Sequence, residues 1–203
     1  MVRDQHTKIF IEKTKHFAEQ ATEQTMLTDT IASTYRKGCA RIAKIPGVHE
    51  VFKVVSNERL AMPNIFQTTA ANWLENTILQ EEVFGPLGII VVAESVEEMR
   101  EVALTIHGQL TCTLQMNDKD LALARSLMGI LERKAGRILV NGFPTGVEVA
   151  DTMVHGESYP ASTNFGGTSV GMLAIRRFLR PVCYSYSEII WHNTDYDIST
   201  TIS

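Results

Sequence analysis

The stretch Glu81-Glu82-Val83-Phe84-Gly85-Pro86, followed by Leu87-Gly88-Ile89-Ile90-Val91-Val92-Ala93, sets a Gly-Pro turn directly before an unbroken apolar run. A strand with one wet face alternates apolar and polar residues, so an unbroken run reads as a strand covered on both faces. Ser95 stands three residues before Glu98, the spacing of a capping box. Val96, Met99, Val102, Ala103 and Ile106 then recur at helical intervals. Leu110 to Met116 alternates again as a strand. Asn117 or Asp118 caps a helix predicted to reach Ala135, with Gly136 as its C-terminal stop and Arg137 to Asn141 as a further short strand. Strands separated by helices of this length need crossover connections, which predicts an α/β domain: a mostly parallel sheet with helices on both faces.

Upstream, Asp4 to about Met26 has Ile9, Phe10, Phe17, Ala18 and Ala21 mostly on one face, the pattern of an amphipathic helix. Thr28 or Asp29 offers the N-cap of a second helix to about Ala43, ended by Pro46-Gly47, and the two are expected to pair as a hairpin. Val48 to Val55 and Ile65 to Thr69 read as strands, the latter running into a helical Ala70 to Asn76. Between Gly142 and Thr168 the periodicity stops, yet Phe143, Tyr159 and Phe165 are spread through the stretch, which suits a packed functional loop. Ser169 caps a predicted helix from Val170 to Leu179, Pro181 stops it, and Val182 to Ile190 reads as a terminal strand.

Composition narrows the function. The 203 residues carry a formal charge of -4, with no basic surplus for a phosphate backbone, so nucleic acid is not an expected partner. Three widely spaced cysteines, Cys39, Cys112 and Cys183, make neither a disulfide framework nor a CxxC motif, and a reducing cytoplasm is the expected setting. The N-terminus lacks the apolar core of a signal peptide, and no apolar run approaches membrane-spanning length. Six scattered histidines with no HExxH or Cys/His cluster give no metal site.

Glu81 to Pro86, in front of a buried strand, resembles the glutamate-phenylalanine-glycine-proline signature of aldehyde dehydrogenases. AGRILVNGFPTGVEV (Ala135 to Val149), MVHGESYPAS (Met153 to Ser162), TSVG (Thr168 to Gly171) and RFLRPVCY (Arg177 to Tyr184) extend the resemblance. They are similar to the subgroup that includes the α-ketoglutaric semialdehyde (2,5-dioxovalerate) and NADP-dependent fatty aldehyde dehydrogenases. One departure is Asn164-Phe165-Gly166-Gly167, which resembles the wider superfamily rather than this subgroup.

The resemblance covers roughly Asp4 to Tyr184 and implies a C-terminal portion of the family's catalytic domain over residues 1–181. Residues 182–203 would be an oligomerisation strand and tail, favouring a homo-oligomer. It further implies NAD or NADP as cofactor. Glu82 would accept hydrogen bonds from the hydroxyls of the nicotinamide-side ribose, a task suited to an ionised carboxylate, and Phe84 would pack beside the nicotinamide ring. Phe143, His155 and Phe165 would line the aldehyde entry. The plainer alternative makes Glu82 a solvated residue before a strand and Phe84 a core anchor.

The family's reaction needs a cysteine thiolate, and its nucleophile lies in a motif upstream of the matched region. None of Cys39, Cys112 or Cys183 has such neighbours, and no Gly-rich phosphate fingerprint is present. No residue is therefore assigned a catalytic role, and the isolated chain is expected to be inactive and to bind cofactor weakly or not at all. Two functions follow: a portion completed by a separately encoded N-terminal half or a parent polypeptide, or a degenerate module kept for association. The aldehyde, the choice between NAD and NADP, and whether Met1 is a natural start stay open.

Overall fold

The computed structural model describes residues 2–143, 167–168 and 171–179. The chain opens with a two-residue strand, β1 (Val2–Arg3), and the helix α1 (Asp4–Glu19). A short strand, β2 (Gln24–Thr25), precedes α2 (Asp29–Ile42), whose N-cap Thr28 accepts a hydrogen bond from the Ile31 amide at 3.2 Å. Strands β3 (His49–Phe52), β4 (Leu60–Ala61) and β5 (Asn64–Thr69) follow, and Thr69 both ends β5 and caps α3 (Ala70–Glu75). A 3₁₀ turn (Thr77–Gln80) leads through the Gly-Pro turn into β6 (Leu87–Ala93). After it come α4 (Val96–Thr105), β7 (Gln109–Leu114), a 3₁₀ turn (Asp118–Asp120), α5 (Leu121–Leu131) and β8 (Ala135–Val140). The last described element is a 3₁₀ helix (Met172–Phe178).

The apolar run sits where its composition predicts. β6 is an inner strand of a sheet ordered β1-β6-β5-β3, parallel to β5 from Asn64 opposite Leu87 to Thr69 opposite Val92, and parallel to β1. Alternation along β6 turns Ile89, Val91 and Ala93 toward the helices. Val91 and Ala93 are buried with Ala70 of α3, Met99, Val102 and Ala103 of α4, and Leu127, Ile130 and Leu131 of α5. A second cluster joins Tyr35, Cys39 and Ile42 of α2 to Ala61, Phe66 and Leu79. Ile90 and Val92, pointing the other way, are buried too, and α1 contacts β1, β3 and β6.

Four expectations need correction. The expected α/β sheet is present, with β6 paired in parallel on both sides, but it does not take in every strand: among the described residues β7 and β8 pair in parallel only with each other, and β2 pairs antiparallel with β4. β3 also pairs antiparallel with β5, with a register shift between Glu50 and Phe52. β7 and β8 instead lay Cys112, Leu114 and Ile138 against the core of α4 and α5, so packing rather than ladder bonds ties them in. The helix hairpin is not formed as expected, because α1 spends its contacts on the strands and β2 intervenes before α2.

α5 stops at Leu131 rather than Ala135, since Ala135 is already paired with Gln109; Gly136 therefore lies inside β8 and caps nothing. The helix predicted over Val170 to Leu179 is a 3₁₀ segment starting after Gly171, which has φ 78°. Its expected cap, Ser169, lies outside the described residues, as does the predicted strand Val182 to Ile190.

Phe66 is fully buried between β5 and α2, whereas Phe17 on α1 is 66% exposed. Phe66→Ala is expected to cost about 3–5 kcal/mol through lost apolar transfer and the cavity left behind. Phe17→Ala should stay within about 0.5 kcal/mol, as surface changes do. Urea unfolding of the two variants beside the parent chain measures both.

Candidate functional site

Because β5 and β6 are parallel, the chain between them must cross over, and the crossover returns it to the starting edge of β6 as the turn Glu81 to Pro86. α2 holds this turn from beneath. Val83 lies over Gly38, where a Cβ would overlap the Val83 methyl groups, so only glycine lets helix and turn approach this closely. Arg41 pairs with Glu81 at 2.7 Å on the surface. Gly85 has φ 147°, a conformation that disfavours a side chain, and rests on the ring of Tyr35, which a Cβ would overlap.

Hydrogen bonds close the turn. The Pro86 carbonyl accepts from the Asn64 amide at 2.9 Å and lies 3.1 Å from the Tyr35 hydroxyl, whose single proton it shares as acceptor with the Met62 carbonyl. The same hydroxyl also faces the Met62 carbonyl at 2.9 Å and accepts from Asn64 Nδ2 at 2.9 Å. Asn64 in turn reaches the Val54 amide and carbonyl through its side chain.

On this anchored backbone the two residues singled out by the motif point outward. Glu82 is exposed, and Phe84 is 65% exposed. Phe84 is therefore not the core anchor of the plainer reading; its neighbour Val83, half-buried, is the residue that packs against the cluster of Tyr35, Cys39 and Phe66. An aromatic ring left in water on a turn held from both sides suits a ring that packs against something outside this chain segment. Glu82 makes no hydrogen bond to any described residue and is free to accept from a bound hydroxyl pair.

The other predicted residues are spread. Phe143 is exposed just beyond β8, in a different sheet from the motif turn. His155 and Phe165 lie outside the described residues. The end of β8 carries a device that sequence reading missed. Asn141, at φ 52°, accepts from the Met116 amide at 2.8 Å and donates to the Met116 carbonyl at 2.9 Å, clasping the ends of β7 and β8. The Asn141-Gly142 dipeptide was the available signal, since asparagine tolerates the left-handed region.

The cysteines have the surroundings of core residues. Cys39 is buried in α2 and Cys112 half-buried in β7; both are free thiols, and burial pushes each above the ordinary thiol range. A thiol held protonated is a poor nucleophile at neutral pH. Cys183 lies outside the described residues. Among the described residues no group of His, Cys, Asp or Glu could hold a metal ion, and no helix is long and apolar enough to cross a membrane.

No protein-family profile matches the chain. It is 48% identical over 161 residues to α-ketoglutaric semialdehyde dehydrogenase 2 of Azospirillum brasilense, covering 78% of this chain and 31% of that protein. It is 40% identical over 184 residues to α-ketoglutaric semialdehyde dehydrogenase of Acinetobacter baylyi, covering 89% of this chain and 34% of that protein. The chain thus spans about a third of the length of the curated relatives it matches. Among solved structures, succinic semialdehyde dehydrogenase from Streptococcus pyogenes in complex with NADP+ superposes with a TM-score of 0.67 at 19% identity. That match covers 85% of this chain and 38% of the other, and at that identity it speaks for the fold alone. Anchored motif turn, sequence identity and shared fold agree: this chain belongs to the aldehyde dehydrogenase superfamily and corresponds to part of one of its members.

Proposed function

We propose that the chain is the portion of an NAD- or NADP-dependent aldehyde dehydrogenase that lies downstream of the nucleophilic cysteine, and that it presents Glu82 and Phe84 to the nicotinamide end of the cofactor. The observation that carries this is the exposed Phe84 ring on a turn whose other contacts are fixed. The residues present fit one end of a dinucleotide: a free carboxylate for ribose hydroxyls and an apolar face for a planar ring. Nothing among the described residues supplies a glycine-rich phosphate cradle. When bound, the cofactor supplies the acceptor for hydride; the chain's own part is to hold the reacting ring at a set distance and exclude water from one side of it. The relatives' names support α-ketoglutaric semialdehyde as the aldehyde, oxidised to its carboxylic acid, with Phe143, His155 and Phe165 toward the aldehyde.

In this reading residues 1–181 are the catalytic-domain portion and 182–203 the terminal strand and tail, and a complementing N-terminal segment supplies the nucleophile. The purified chain is then expected to show no turnover of α-ketoglutaric semialdehyde or medium-chain aldehydes with either cofactor. Calorimetry should find no saturable dinucleotide binding tighter than about 10 μM, roughly 7 kcal/mol. Turnover that disappears in Cys39→Ala, Cys112→Ala or Cys183→Ala would overturn the assignment.

The buried thiols give a pH test of the same reading. Iodoacetamide at pH 8 should alkylate Cys39 and Cys112 at least about tenfold faster in the urea-unfolded chain than in the folded one, because the folded thiols are protonated and shielded. Burial raises both pKa values on folding, so the stability tied to the neutral thiols is present below the unfolded value of about 8.5 and is lost as pH climbs past it. Rapid labelling of either thiol in the folded chain, with stability flat from pH 7 to 10, contradicts this account.

Association is the remaining element. The strand-like Val182 to Ile190 is expected to add to a sheet outside its own domain, with Tyr184, Tyr186, Ile189 and Ile190 at the contact, because open strand edges and apolar patches drive association. Light scattering should give a homodimer or larger species for the full chain and a smaller one for a chain ending at Pro181. A monomeric full chain, or an oligomer indifferent to the truncation, refutes it.

A further inference from the structure

Resting on the assignment of Glu82 and Phe84 to the cofactor, we propose that Tyr35 is the positioning residue that sets where those two side chains stand, acting through Gly85 and the Pro86 carbonyl. Tyr35 lies on α2, far from the motif in sequence, and is 3% exposed. Two of its surfaces meet the turn. Its ring occupies the space where any side chain at Gly85 would project, and its hydroxyl is within hydrogen-bond reach of the Pro86 carbonyl at 3.1 Å. Gly85 and Pro86 directly follow Phe84, so a shift of the ring or loss of the hydroxyl bond is passed to Phe84 across one or two peptide units.

The other restraints on the turn are weaker or less directional. The Arg41–Glu81 pair is solvent-exposed, a class worth little in water. Val83 against Gly38 is apolar contact, which resists separation more than sliding. The Asn64 amide bond to Pro86 is directional and is fixed by the β5–β6 pairing, so it ties Pro86 to the sheet, while the Tyr35 hydroxyl and the Asn64 side chain, joined at 2.9 Å, tie it to α2. Burial pushes the Tyr35 hydroxyl's ionisation upward, so it keeps its proton, and with it the donor to Met62 or Pro86, throughout the physiological range.

Tyr35→Phe keeps the ring on Gly85 and removes only the hydroxyl, while Tyr35→Leu removes both. A residue that merely fills space is fully replaced by phenylalanine; a positioning residue acting through its hydroxyl is not. In ¹⁵N spectra of the full chain, Tyr35→Phe is expected to broaden or split the amide signals of Glu82, Val83, Phe84 and Gly85. It should also speed amide exchange at Asn64 and Leu87 about tenfold, the factor expected when a net hydrogen bond of typical strength is lost. Thr113 and Leu139, paired in the β7–β8 sheet, should keep their exchange rates within about twofold, as a local effect requires. Tyr35→Leu should produce a larger change at the same amides.

Sharp, unmoved Glu82 to Gly85 signals in Tyr35→Phe, or a uniform change that includes Thr113 and Leu139, overturns the proposal. Nicotinamide mononucleotide, titrated at millimolar concentration into the unaltered chain, separates this from the cofactor assignment. Shifts at Glu82 and Phe84 support that assignment and shifts confined to other residues count against it, while the role of Tyr35 is decided by the amide signature alone.

Discussion

The parallel pairing of β5 with β6 is the constraint from which the rest of the architecture follows. Parallel neighbours cannot be joined by a tight turn, so the chain leaving β5 must climb through α3 and the 3₁₀ turn and come back to the starting edge of β6. That return path sets the motif turn beside α2 and next to the first residue of β5. Asn64 can then give its backbone amide to Pro86 and its side chain to Tyr35, joining strand, helix and turn at one point. Both hydrophobic clusters grow from the same pair of strands, one around Phe66 under α2 and the other around Val91 and Ala93 under α3, α4 and α5.

This arrangement divides labour within six residues. Val83 is half-buried against α2, and Gly85 and Pro86, though exposed, are tied down by the close approach of the Tyr35 ring and by hydrogen bonds to the Pro86 carbonyl; Glu82 and Phe84 are exposed with no described side chain over them. Exposing an aromatic ring forgoes about 1.5–3 kcal/mol of burial relative to a core position. A rigid support for an exposed ring is what a site needs when the ring must meet a partner group at a set distance.

Where short-range chemistry decided an element, its reading from sequence held. Thr28 caps α2, Ser95 caps α4, and the unbroken run Leu87–Ala93 is an inner strand. Even so, the Ser95 box differs from its expected form. The Glu98 amide donates to Ser95 at 3.1 Å, but the Glu98 carboxylate reaches back one residue further, to the Glu94 amide at 2.8 Å. The end of α5 was misjudged because Glu132, Arg133 and Lys134 are all compatible with helix, and only the pairing of Ala135 with Gln109 withdraws the chain from it. Propensity cannot register a competing long-range ladder.

By itself, the amino-acid sequence determined the α/β class, the order of most helices and strands, the motif turn and the superfamily, because each rests on periodicity, capping or a contiguous signature. It also marked Glu82 and Phe84 as the residues to watch. Only the tertiary structure decided that β7 and β8 stand apart from the sheet of β6, that α1 lies on strands rather than on α2, and that Phe84 faces solvent while Val83 is half-buried. It alone brought Tyr35 and Asn64 to Pro86, across sequence separations of 51 residues for the tyrosine and 29 between tyrosine and asparagine. The physical reason is common to all of these. Which face of a strand or turn is buried, and which distant hydroxyl meets a carbonyl, depends on how elements pack in space, and a pattern read along one segment holds no record of what lies against it.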